Sequence, residues 1–167
     1  IRIAFVYEGN GAASLALDNI GGAPAENYWT GNTGTDWNTA GNWRIEVPAA
    51  DASARILPAA NQPVVSGSLE ISGITIHPGA SLTLAPASKV TVNNELVNHA
   101  GTDGLILKAD GNGQASLIHS EDALEATIEL VASPAAGNQG WNSLALPVQA
   151  AFEPELIGLA DGLMKWN

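Results

Sequence analysis

The chain has 167 residues, with 17 acidic side chains against 6 basic ones, a net charge of -11 and an isoelectric point near 4.3. The basic residues Arg2, Arg44, Arg55, Lys89, Lys108 and Lys165 are scattered, which argues against nucleic acid and anionic lipid as partners, because phosphate binding needs clustered Lys and Arg. The absence of Cys removes disulfides, Cys-ligated zinc and thiol catalysis, and no apolar run approaches the roughly 18 residues of a membrane span, so no membrane insertion is expected.

In chain order, Ile1-Arg2-Ile3-Ala4-Phe5-Val6-Tyr7 alternates as a strand, Glu8-Gly9-Asn10-Gly11 turns, and Ser14-Leu15-Ala16-Leu17-Asp18-Asn19-Ile20 supplies a second strand. Two strands cannot bury a core alone, so residues 1–22 are expected to close a β-sandwich whose other strands lie elsewhere. The lack of an initiator Met and the apolar ending Leu163-Met164-Lys165-Trp166-Asn167 are read as marks of an excerpt from a longer polypeptide. Gly21-Gly22-Ala23-Pro24-Ala25-Glu26 is a linker by composition.

Residues 29 to 43 gather Trp29, Trp37 and Trp43 into a Gly/Asn/Thr-rich stretch. Tryptophan brings a large apolar area with one N–H to satisfy, and Gly and Asn allow the positive φ angles of tight corners. This suits an aromatic plug at the entrance of a β-solenoid. Prolines at 48, 58 and 63 leave no room for a helix in the Ala-rich stretch from Val47 to Pro58, which predicts extended chain or a single turn there.

From Val64 to about His119 the pattern repeats. Apolar pairs one residue apart occur at Leu69/Ile71, Ile74/Ile76, Leu82/Leu84 and Val90/Val92, the last three recurring eight residues apart with Gly, Pro, Ser or Asn between them. Each pair is a short strand with two inward side chains, and strands this short are stable when successive coils stack. Three such faces predict a coil of about two dozen residues, and roughly two or three coils in all. Leu105 to Ala109 and Ala115 to His119 flank Asp110-Gly111-Asn112-Gly113-Gln114 as the arms of a hairpin. A short helical turn is expected between Glu121 and Ala126, then strands at Ala126 to Val131 and Trp141 to Val148. The fold expected is therefore all-β: a short parallel β-helix (β-solenoid) over residues 23–125, flanked by β-sandwich strands at 1–22 and a further strand segment at 126–167. Open edges at both ends of the stack would suit assembly with neighbours.

Three stretches resemble, in chain order, parts of the multidomain surface proteins exported by the bacterial type IX secretion system. Residues 1–7 with 14–20 resemble the closing strands of their cleaved-adhesin, MAM-like jelly rolls. The Trp29 to Trp43 segment with Ile74 to Leu84 resembles their β-helical repeat region. Gly140 to Val148 with Leu163 to Asn167 is similar to the tryptophan-bearing stretches that follow it, with Leu146 where Ser commonly precedes Pro-Val and Met164 where Tyr is usual. The resemblance implies a secreted or cell-surface location, and adhesion or scaffolding with neighbouring domains of the same polypeptide or with other surface proteins.

Two readings stand beside each other at every candidate site. In the jelly rolls that it resembles, the acid of the Asp18-Asn19 strand often ligates a structural calcium; the alternative is an edge or turn carboxylate with no metal. Trp29, Trp37 and Trp43 form a sugar-stacking platform for glycans if exposed, or a buried cap over the solenoid end. Asp110 to Gln114 offers alternate oxygens, as a partial cation loop does, or a plain hairpin turn; Asp36, Asn38 and Asn42 surround a cation or bond their own backbone at corners. His77, His99 and His119, about one coil apart, form a ladder or stand as solvated corner residues. No Ser/His/acid set, phosphate loop or carboxylate pair across a cleft has motif support, so the chain is not read as an enzyme. The expectation is a structural or adhesive segment, with a carbohydrate-binding module as the second reading and a fragment of a β-helical polysaccharide-degrading enzyme as the third.

Overall fold

Strands that offer only two inward side chains each can bury them only against equivalent strands above and below, and this requirement sets the architecture. The structure, a computed structural model, describes residues 26–131. It is all-β, with parallel sheets wound into a β-solenoid of about 4 turns. The strands are β1 (Ser53–Ile56), β2 (Val64–Val65), β3 (Ser68–Ile76), β4 (Leu82–Leu84), β5 (Lys89–Asn98), β6 (Leu105–Leu107), β7 (Ala109–Asp110), β8 (Gly113–Gln114), β9 (Ser116–Ile118) and β10 (Thr127–Ile128).

One parallel sheet runs β1-β3-β5-β9 and the other β2-β4-β6-β10, so the chain visits each sheet once per turn. Register places chemically equivalent residues in columns. Ala54, Ile74 and Leu96 form one. Val65, Leu84, Leu107 and Ile128 form another, with steps of 19, 23 and 21 residues along the chain. These columns converge on a core that includes Ile56, Ile71, Ile76, Leu82, Val90 and Leu105. The alternation is visible along β4, where Leu82 and Leu84 are buried and Thr83 is half-buried.

The long strands turn a corner within their length. Register shifts between Ile71 and Gly73 of β3, where Ile71 pairs with Val92 but Gly73 with Glu95. Strand β5 therefore carries one extra residue, a bulge that sets Asn93 and Asn94 beside Ser72 and rotates the next apolar pair inward. Gly73 fits because a Cβ there would come within 2.9 Å of Ser53 Oγ.

The chain supplies about 4 turns, more than the two or three expected. The extra coils come from residues that read otherwise in the sequence. Leu105–Leu107 and Ser116–Ile118 are not arms of one hairpin but belong to different sheets, beside β4 and β5 respectively. The hairpin itself is confined to β7 and β8, antiparallel and four residues in strand. No helical turn forms between Glu121 and Ala126. The Val47 to Pro58 stretch is extended, as expected, with a turn at Ala49 to Ala52 before β1.

Candidate functional site: the tryptophan cap and the bulged corner

The first coil is made by the tryptophan segment. Tyr28 bridges in parallel to Arg55 of β1, and Asp36 to Val64 of β2, so this segment lays an additional layer against both sheets. Only isolated bridges form, because Gly31, Asn32 and Gly34 turn the chain too often for a ladder; Gly31 sits at φ +63°. The opening of the stack that would otherwise expose the core is filled by indoles. Trp43 meets Trp29 edge-to-face with ring centroids 5.2 Å apart, and Trp37 at 4.7 Å.

All three rings are buried, at 1%, 0% and 4% exposure for Trp29, Trp37 and Trp43. Sugar stacking needs an open ring face, and burial against one another and the first core layer leaves none. The platform reading is thus corrected in favour of the cap, and of the two ends expected to be open, this one is covered.

Hydrogen bonds hold the rings in place. Trp29 Nε1 donates to the Asn61 carbonyl at 2.7 Å, and Trp43 Nε1 to the Trp37 carbonyl at 2.8 Å. Trp37 Nε1 is buried without a partner, a cost of about 1–3 kcal/mol that the aromatic packing offsets. Asn42 is the organising polar residue, 1% exposed. Its Oδ1 accepts from Thr33 N at 2.8 Å and Thr33 Oγ1 at 2.7 Å, its Nδ2 donates to the Asp36 carbonyl at 3.0 Å, and its own carbonyl accepts from Thr30 and Gly31 N–H groups. The cation reading of Asp36, Asn38 and Asn42 gives way to corner chemistry: Asp36 accepts from Asn38 N and Thr39 Oγ1, so these side chains bond their own segment.

A second polar feature lies at the bulged corner. Ala50, Asp51, Ser72, Asn93 and Asn94 line a shallow cleft of about 330 Å³. Asn94 Nδ2 donates to Ser72 Oγ at 2.7 Å and Asn93 Nδ2 to Glu70 Oε1 at 3.1 Å. These groups are hydrogen-bonding and uncharged apart from Asp51 and Glu70, with no nucleophile set against a base. The corner is not among the sequence expectations, although a signal exists: Ile71 and Ile74 are three residues apart, whereas Val92 and Leu96 are four apart, across the polar run Asn93-Asn94-Glu95.

The remaining candidates are dispersed. His77 and His99 stand on adjacent coils with ring centroids 6.3 Å apart, and Arg55 bonds His77 Nε2 from Nε at 3.3 Å. His119 Nδ1 instead accepts from Glu121 N–H, so the ladder has two members and not three. Asp110 Oδ1 accepts from Asn112 N in the hairpin turn. Among the described residues, no group of three or more His, Asp or Glu side chains is placed to hold a metal. Asp18 and Asn19, the calcium candidates, lie outside the described residues.

The family described as "Domain of unknown function (DUF8693)" matches residues 28–132, more than half of the chain. The chain belongs to this family. The match opens at Tyr28, the first bridging residue of the cap, and closes just after β10, so the family domain coincides with the cap and its stack. Searches of curated proteins and of solved structures return no match.

Proposed function

We propose that this domain is a non-catalytic stalk or scaffold segment of a large secreted bacterial surface protein, holding neighbouring domains of the same polypeptide at a fixed spacing and orientation. The observation that carries this reading is the unbroken stacking of two parallel sheets from the Tyr28 and Asp36 layer to β10. Each rung adds about 4.8 Å, so four turns make a spacer of roughly 20 Å. Shared columns of buried Ile, Leu and Val resist bending, because tilting one rung would open its contacts with the next.

Three further features support the reading. The excess of acid over base suits a solvated outer surface. No described helix is long and apolar enough to cross a membrane. The type IX resemblance of the flanking stretches supports export, and brings with it the structural calcium at Asp18 and Asn19 as a separate proposal.

Antibody labelling of intact cells of the native host, with the intact mass of the polypeptide that carries residues 28–132, tests the proposal. Surface labelling on a much larger chain is the expected result. Retention in the cytosol, or turnover of a polysaccharide panel by the isolated domain, would overturn it. The glycan-module reading loses its motivating residues with the burial of Trp29, Trp37 and Trp43.

A further inference from the structure

The bulged corner repeats its chemistry from coil to coil. Asp51 before β1, Ser72 in β3, Asn94 in β5 and Ser120 after β9 each place a short oxygen-bearing side chain there. Hydrogen bonds tie the row together: Asn94 Nδ2 donates to Ser72 Oγ at 2.7 Å, and Ser120 Oγ to the Asn94 carbonyl at 3.3 Å. Just past the bulge, the Leu96 N–H donates to Glu121 Oε1 at 3.5 Å, so the next coil braces the corner. The cleft is lined by Ala50, Asp51, Ser72, Asn93 and Asn94, with no lysine, arginine or aromatic ring among them. Asn93 is held by Glu70 and Asn94 by Ser72 through one N–H each. The second N–H and the Oδ1 of both carboxamides, and both carboxylate oxygens of Asp51, have no partner among the described residues.

We propose that this corner is a lateral binding site for an uncharged glycan, which lies along the stack with its hydroxyls on Asp51, Asn93 and Asn94. The unpartnered groups are donors and acceptors in close succession, and neighbouring sugar hydroxyls, each donor and acceptor at once, satisfy such a set. Glu70 and Ser72 already fix the two carboxamides, so little rotamer freedom is lost on binding. Spacing selects the ligand. Rungs lie about 4.8 Å apart, close to the advance of one ring in an extended glycan, whereas an extended peptide repeats its same-side residues every ~6.7 Å. Charge narrows the choice further, because Asp51 and Glu70 repel sugar acids and no basic side chain lines the cleft to offset them. The site shares no residue with the buried indoles of the cap. With no ring to stack on, affinity rests on hydrogen bonds in an open cleft, and a dissociation constant of roughly 1 mM is expected. Binding here does not depend on the role of the domain as a stalk.

Amide NMR of the full chain tests the site, with cellotetraose, xylotetraose, mannotetraose and chitotetraose as neutral probes, the matching monosaccharides, and tetragalacturonate as the acidic counterpart. The expected result is saturable shifts at the Ser72 N–H and at the Asn93 and Asn94 side-chain amides with at least one neutral tetramer. That tetramer should bind at least about tenfold more tightly than its monosaccharide, because contacts on successive rungs add. Tetragalacturonate is expected to leave these signals in place. Asp51→Ala and Asn93→Ala, both at exposed positions, should each weaken binding at least about threefold with the signals of the buried core unchanged, while Thr83→Ala on the other sheet leaves binding as it was. The absence of a saturable shift at the corner with every neutral tetramer, equal binding of tetragalacturonate, or binding unaltered in both Asp51→Ala and Asn93→Ala would each overturn the proposal.

Discussion

Trp29 is fastened to Asn61: its Nε1 donates to the Asn61 carbonyl at 2.7 Å, and the Asn61 side chain in turn donates from Nδ2 to the carbonyl of Gly31, two residues beyond Trp29, at 2.8 Å. The cap is thereby fastened to the loop before β2, across 32 residues of chain, rather than resting on the stack by apolar contact alone.

Gly31 is the tightest point of this junction. A Cβ there would lie 2.2 Å from the Asn61 carbonyl oxygen, and its φ is +63°. Gly67, at φ +86°, has nothing within 4 Å of the same added atom. Gly67→Ala should therefore cost only the backbone strain, about 1 kcal/mol, and Gly31→Ala several times more. Denaturant midpoints of the two variants check this; equal losses would mean that the junction gives way freely.

Asn42→Ala removes three hydrogen bonds and strands the Thr33 N–H, while the Asp36 carbonyl keeps only the Thr39 N–H. The expected loss is about 2–4 kcal/mol, with a red shift of tryptophan emission as water reaches the cap. Unchanged emission at a lowered stability would place the damage elsewhere in the stack.

The unequal satisfaction of the indoles predicts an order. Trp43→Phe loses the bond to the Trp37 carbonyl, whereas Trp37→Phe removes a buried N–H that has no partner. Both lose comparable volume, so Trp43→Phe should be the more destabilising by about 1–3 kcal/mol in urea titration.

In the middle of the stack, Ile74 is 1% exposed and sits between Ala54 and Leu96, while its neighbour Thr75 points outward and is half-buried. Ile74→Ala is expected to cost about 2–5 kcal/mol and Thr75→Ala less than about 1. Thermal melts showing similar losses at the two positions would contradict the inward and outward assignment.

The pairs Leu69/Ile71, Ile74/Ile76, Leu82/Leu84 and Val90/Val92 were legible because a solenoid strand writes its inward side chains two residues apart. Rungs built from smaller or isolated apolar residues were not. Ala54 is as buried as any isoleucine but too small to stand out among neighbouring alanines, and Val65 has Pro63 as its preceding inward neighbour. Leu105–Leu107 and Ser116–Ile118 mimic a hairpin because a real but smaller hairpin sits between them, and only long-range pairing separates the two possibilities. The tryptophans announced a cap, yet Asn42 and Asn61 did not announce that they hold it, since Asn in a Gly-rich stretch ordinarily signals a local turn.

The β7–β8 hairpin lengthens one step without disturbing the stack: Leu69 to Val90 is 21 residues, Val90 to Leu117 is 27, and all three remain in one column. Such a wall keeps count of layers and is indifferent to how much chain is spent between them. Corners of this kind are where foreign loops can be grafted, and where relatives can acquire outward decorations, while the shaft beneath keeps its dimensions.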